Sequence, residues 1–227
     1  MTDSSTAEAL VLHRPTTVRG RLLLAADAEE HRHAPLLVGF HGYGQRAEDA
    51  LAALAGIDGA YARAAVQALH PFYLPRREGG QGRVGASWMT KEDRGLAVED
   101  NIAWVDQAIG ALRERGLSGP LVVSGFSQGV AMTYRAALLG AEKPAGALVL
   151  AGDVPPDFPQ AELRRLPPVL LCRGLQDAWY TEEKMEADLQ RLRAAEVEVT
   201  EHIFDGPHIW DPSVSVAAAR WLRELGS

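Results

Sequence analysis

Apolar residues along this chain fall into short runs, separated by longer stretches in which apolar and polar residues share a helical period. The short runs predict strands over residues 18–25, 35–40, 68–74, 121–124, 147–151, 169–173 and 197–204. Several are continuously apolar rather than alternating, as expected of strands covered on both faces. The longer stretches predict helices over 47–64, 95–115, 128–139, 181–195 and 213–225. Ile102, Val105, Ile109 and Leu112 recur at helical spacing and give one buried stripe. Thr181, followed by Glu182 and Glu183, reads as an N-cap with a negatively charged first turn. Strands alternating with helices predict an α/β fold, a mostly parallel central sheet with helices on both faces. In such a sheet ligands bind beyond the carboxyl ends of the strands, so chemistry is sought there.

Length and composition narrow this picture. A chain of 227 residues, 47% hydrophobic and 23% charged, suits one well-buried domain, with residues 1–17 as an amino-terminal extension. Its formal net charge of −7 argues against nucleic-acid backbones and anionic membrane surfaces as partners. The apolar runs fall short of the roughly 18 residues that span a bilayer, so membrane insertion is not expected. The opening residues 1–19 are polar, so no secretory signal is read there. A lone cysteine, Cys172, lies in an apolar run and is expected in the core; it is compatible with a cytoplasmic location.

The chemistry gathers around Gly125-Phe126-Ser127-Gln128-Gly129. Ser127 follows a predicted strand and opens a predicted helix, the setting of a nucleophile on a sharp turn. The pentapeptide alone is equally compatible with a serine that merely caps the helix. A serine nucleophile needs a base, and the base needs an orienting acid. Of the seven histidines, His208 lies on a turn after the last strand, where it can reach the carboxyl edge of the sheet. His31 and His33 sit in a polar segment, His13 in the extension, and His70 and His202 within strands. Asp177 follows the strand over 169–173 and gives the order Ser127, Asp177, His208 expected on this fold. Asp153, one strand earlier, and Asp205, three residues before His208, are its rivals. An oxyanion would be met by the N–H of Gln128 and by a second donor from the loop His41-Gly42-Tyr43-Gly44-Gln45.

With these residues in place, the chain from about Pro35 onward resembles the α/β-hydrolases. Within them it resembles the phospholipase/carboxylesterase family, which includes acyl-protein-thioesterase-like enzymes. The resemblance rests on the His41–Gly44 loop, the Ser127 pentapeptide, Asp177 with His208, and Ser87-Trp88. It implies Ser127 as nucleophile, His208 as base, Asp177 as acid, and the N–H groups of Tyr43 and Gln128 as oxyanion donors. The chain departs from that family's pattern at Val130, at Ala178-Trp179-Tyr180 and at Pro207.

Tyr43, Trp88, Phe126, Trp179, Tyr180 and Trp210 all fall on or beside strand-end loops, and an apolar or aromatic acyl pocket is expected from them. The segment 151–168 is too short for a cap domain, which leaves the loop 75–94 as the main roof. The expected function is a serine carboxylesterase or thioesterase that acts on small to medium apolar acyl esters through an acyl-enzyme. Neither a metal nor another cofactor is expected. A peptidase, an amidase, an acyltransferase or a non-catalytic ligand-binding protein on the same fold is the alternative.

Overall fold

The continuously apolar runs occupy the middle of a sheet because only there are both faces of a strand covered. The computed structural model describes residues 10–25, 27–28, 30–75 and 82–225. Its strands are β1 (Leu22–Leu24), β2 (Leu36–Phe40), β3 (Ala62–Val66), β4 (His70–Tyr73), β5 (Val84–Ser87), β6 (Leu121–Phe126), β7 (Gly146–Leu150), β8 (Val169–Gly174) and β9 (Val199–Phe204). Its helices are α1 (Ala47–Ala55), α2 (Arg94–Glu114), α3 (Gln128–Leu139), α4 (Gln160–Leu163), α5 (Glu182–Ala194) and α6 (Pro212–Leu225).

A seven-stranded sheet runs in the order β1-β3-β2-β6-β7-β8-β9. β1 is antiparallel to β3, and every other neighbouring pair is parallel. Helices cover both faces, with α1 close to α6 and α2 packed on α3. β2, β7 and β8 are buried along their whole length. Each Leu or Val side chain so enclosed contributes about 1.5–3 kcal/mol relative to leaving it in water. Cys172 lies in β8, buried and free, and burial pushes its thiol well above the ordinary range. Val105, Ile109 and Leu112 are buried along α2, and Ile102 is partly buried. Thr181 is the N-cap of α5, but its hydroxyl makes no capping bond to the helix backbone.

Two sequence expectations are corrected. The predicted helix over 47–64 stops at Ala55, and residues 62–66 form β3 between β1 and β2. Gly56 caps α1, and Gly59, at φ 141, lets the chain reverse. Ala62, Ala64 and Ala65 then pair as a strand despite their helical propensity, because small side chains let α1 lie close over the sheet. The predicted strand over 68–74 is not in the main sheet. Its core, β4, pairs antiparallel with β5 in a separate hairpin. Part of the loop expected to roof the site, residues 76–81, lies outside the described residues, as does most of the extension, residues 1–9. The segment after β7 carries only the one-turn α4, and no cap domain is present among the described residues.

Candidate active site

Four strand ends supply the site. β6 ends at Phe126 and α3 begins at Gln128, so Ser127 is the whole turn between them. Its backbone takes φ 53 and ψ −120, a region a non-glycine residue avoids at about 1–3 kcal/mol. The turn is held by Ser127 N–H donating to Leu150 O at 2.9 Å and by Val130 N–H donating to Ser127 O at 2.9 Å. Both flanking glycines are required by contact. A Cβ on Gly125 would stand 2.3 Å from Thr133 Oγ1, and one on Gly129 would stand 2.2 Å from Phe40 O. The Ser127 hydroxyl makes no capping bond to α3, so the turn does not serve as an ordinary N-cap.

The loops after β8 and β9 are stitched together. Leu175 N–H donates to Phe204 O at 2.8 Å, and Gln176 N–H to Gly206 O at 2.9 Å. This seam sets Asp177 beside His208, with Nδ1 2.7 Å from Oδ2. The Asp177 side chain is 0% exposed, and its Oδ1 accepts from the N–H groups of Trp179 and Tyr180 at 2.8 and 2.9 Å. A carboxylate accepting three bonds in a dry pocket is held in one orientation, and it selects the His208 tautomer with the proton on Nδ1. Phe126 braces the imidazole, ring centroids 4.9 Å apart. Asp153 instead faces Lys184 at 3.6 Å, and Asp205 accepts from Gln176 Nε2 at 2.6 Å. Of the three carboxylates, Asp177 is the one bonded to His208.

The loop after β2 spends most of its donors internally. Gly42 N–H donates to Gln45 Oε1 at 2.8 Å, Gly44 N–H to Ala86 O at 3.0 Å, and Gln45 N–H to Gly42 O at 3.1 Å. The Tyr43 N–H is left over from this set. Gln128 is the first residue of α3, where helices leave N–H groups without intrahelical partners. His41 is buried beneath this loop: its Nδ1–H donates to Gly42 O at 2.8 Å, and Ala68 N–H donates to its Nε2 at 3.1 Å. Burial lowers the His41 pKa, which suits this neutral ring. It is a brace, a role the sequence did not disclose.

A cavity of about 550 Å³ is bordered by Ser127, His208, Tyr43 and Gln128, together with Trp179 and Tyr180. The aromatic residues expected around the pocket therefore divide. Trp179 is 75% exposed at the rim, whereas Tyr180 is buried and donates its hydroxyl proton to Asp188 Oδ2 at 3.1 Å. Burial pushes the Tyr180 phenol well up and raises Asp188 to about 6. Phe126 and Trp210 border a different, smaller cavity beside His41. Trp88 departs furthest from expectation. It is wholly buried against Phe40 and His41, its indole N–H donates to His41 O at 2.8 Å, and it does not border the cavity at Ser127. Gln128 holds this plug in place, since its Oε1 accepts from Trp88 N–H at 3.0 Å and its Nε2 donates to Met89 O at 3.0 Å. Met89, Arg94, Arg135 and Lys184 also border the cavity and were not foreseen. The available signal was Arg135, a charge on the otherwise apolar side of an alanine-rich helix.

Among the described residues no group of three or more His, Cys, Asp or Glu side chains is placed to hold a metal ion. Nor is any described helix long and apolar enough to cross a membrane.

A mostly parallel sheet covered on both faces, with a strained serine at one strand-to-helix turn and a His–Asp pair on the next loops, is the α/β-hydrolase fold. No protein-family profile and no curated protein sequence matches the chain. Among solved structures, esterase PE8 is similar at 25% identity and TM-score 0.67, over 91% of this chain and 98% of that one. Zea mays acyl-protein thioesterase 2 is similar at 18% identity and TM-score 0.68, over 92% and 100%. A phospholipase/carboxylesterase from Dyadobacter fermentans is similar at 16% identity and TM-score 0.64, over 92% and 99%. These likenesses, each over more than nine-tenths of the chain, show the α/β-hydrolase fold.

Proposed function

We propose that this protein is a serine hydrolase that cleaves carboxylic esters or thioesters through an acyl-enzyme. The observation that carries the reading is that His208, bonded to the buried Asp177 at 2.7 Å, borders the same cavity as a serine at φ 53. Ser127 Oγ attacks the acyl carbonyl as His208 Nε2 takes its proton, and Asp177 steadies the imidazolium that forms. The Tyr43 and Gln128 N–H groups meet the developing oxyanion. His208 then returns the proton to the departing alcohol or thiol, and a water activated by the same ring releases the acid. All seven strands of the main sheet contribute to one core around this site, which supports reading the chain as one domain. A lone, buried, free Cys172 is in keeping with a cytoplasmic setting. The open cavity, edged by Tyr43 and Trp179, favours short to medium acyl groups.

The test is covalent. A fluorophosphonate is expected to add once, at Ser127, as read by intact mass and peptide mapping. Labelling at another residue, or hydrolysis of a 4-nitrophenyl ester that survives in Ser127→Ala, would overturn the assignment. A matched ester, thioester and anilide of one acyl group then ranks the leaving groups.

A further inference from the structure

The cavity at Ser127 has a far end that the acyl-transfer chemistry leaves unused. Ala131 and Arg135 lie four residues apart on α3, Ser127 stands a further four residues back on the turn that opens it, and all three border the cavity. Residues so spaced share a helix face, and eight residues of helix rise about 12 Å. Helical side chains lean back toward the N-terminus, which brings the Arg135 head nearer to Ser127 than its Cα stands. The small Ala131 side chain keeps the floor between them low.

The Arg135 side chain is 0% exposed. Its Nη2 donates to Asp157 at 3.0 and 3.4 Å, and among the described residues its Nη1 meets a thioether alone, Met89 Sδ at 3.4 Å. Its Nε, also buried, has no partner among the described residues. A thioether is a weak acceptor, and a buried guanidinium with unmet donors is unfavourable. Burial accordingly draws the Arg135 pKa down, against the opposing effect of Asp157. Asp157 is shared with Arg94, whose Nη2 donates to it at 3.1 Å. Lys184 borders the same cavity, donating to Trp179 O at 2.8 Å and facing Asp153 at 3.6 Å. Three cations thus stand against two carboxylates, a local excess of positive charge in a chain of net charge −7. A plain latch between α3 and the Asp157 loop needs one arginine. It accounts for neither the second and third cations nor the spare donors on the first.

We propose that this end of the cavity is an anion subsite, and that the substrate is an ester or thioester carrying a carboxylate on a short apolar stem. Arg94 and Lys184, both half-exposed, receive the carboxylate, and the buried Arg135 adds its charge from behind them. The inference rests on the ester-hydrolase reading above and names its substrate class. A guanidinium fork matches a planar carboxylate, and the single excess charge suits a monoanion.

Carboxylate and carboxamide versions of two esters decide it. Monobenzyl glutarate and its terminal amide place the charge on the acyl side. The butyryl esters of 4-hydroxybenzoate and 4-hydroxybenzamide place it on the alcohol side. The wild-type protein is expected to favour the carboxylate in one of these pairs by at least about tenfold in kcat/KM. That preference should shrink as salt rises while the amide's rate holds. Arg94→Gln and Lys184→Gln, both at half-exposed positions, are each expected to lower the carboxylate-to-amide ratio severalfold. Arg135→Lys, which keeps the charge but loosens the hold on Asp157 and so on Arg94, should lower it less. Equal or faster turnover of the amide in both pairs overturns this inference alone and leaves the hydrolase standing. A carboxylate preference untouched by Arg94→Gln, Lys184→Gln and Arg135→Lys also overturns it. No turnover of any of the four esters, with no fluorophosphonate labelling, overturns the hydrolase reading and this inference together.

Discussion

The two ends of the cavity at Ser127 are built by opposite means. At the His208 end, position comes from backbone: a strained turn, two glycines that no side chain could replace, and a seam of main-chain bonds between the loops after β8 and β9. Each oxygen of Asp177 has a defined partner there. At the Arg135 end, position comes from side chains reaching in from α2, α3, α5 and the Asp157 loop, and a buried donor is left over. The difference separates a place made for one chemistry from a place able to accept a partner. Fully met groups such as Asp177 hold their partners in one geometry, whereas a spare donor on a side chain is free to answer to a neighbour.

The sharpest way to break the comparison is at the backbone-built end. Ser127→Ala is expected to lower kcat by on the order of 10⁴-fold or more with the far-ultraviolet circular dichroism unchanged. Asp177→Asn should come close behind, on the order of 10⁴-fold, because it disturbs the tautomer of His208. Asp153→Asn and Asp205→Asn should leave kcat nearer to wild type. A larger loss at either would move the acid off Asp177.

Trp88→Ala should act on stability instead, costing about 3–5 kcal/mol in a denaturant titration, since it empties a fully buried site. Its chain-length preference should follow wild type in whatever fraction folds, because the ring does not border the cavity.

Asp188 is buried behind Tyr180, a residue that borders the cavity, and accepts from Val154 N–H at 2.9 Å and from the Tyr180 hydroxyl. Burial raises its pKa from 3.8 to about 6, so the folded state binds the Asp188 proton more tightly than the unfolded chain. The associated stability is full below the unfolded value and is lost as pH rises through the folded one, about 3 kcal/mol at most by pH 7. Asp188→Asn should therefore stabilise the protein at pH 8 and lose that advantage by about pH 4, as denaturant titrations at several pH values would show. An advantage equal at both pH values would refute the linkage. The smallest effect is expected from Trp179→Ala: within about 0.5 kcal/mol in stability, as befits a surface ring, yet with a flatter chain-length profile if the ring edges the acyl group.

The pattern of apolar runs was enough to read a parallel α/β sheet and five of its helices, because burial on both faces leaves an unbroken apolar signature in β2, β7 and β8. Ser127, Asp177 and His208 were legible for a related reason. Each stands within a few residues of a strand's carboxyl end, so a local motif and the order of strands were enough to bring them to one edge. Where a small residue serves two purposes, the sequence was ambiguous. The alanines of β3 carry helical propensity, and only pairing between β1 and β2 beneath α1 makes them a strand. The aromatics were ambiguous too, since a ring beside a strand end can line a cavity or plug the core. Trp88 became a plug because its N–H finds His41 O and its faces find Phe40 and His41, contacts between residues more than forty positions apart. The far end of the cavity, apart from the out-of-place charge of Arg135, belongs to tertiary structure. Arg94, Arg135, Asp157 and Lys184 share no motif or period, and their meeting depends on how α2, α3 and α5 are set against one sheet. Local sequence encodes what the backbone must do at each turn, but long side chains acquire their partners only once packing has chosen their neighbours.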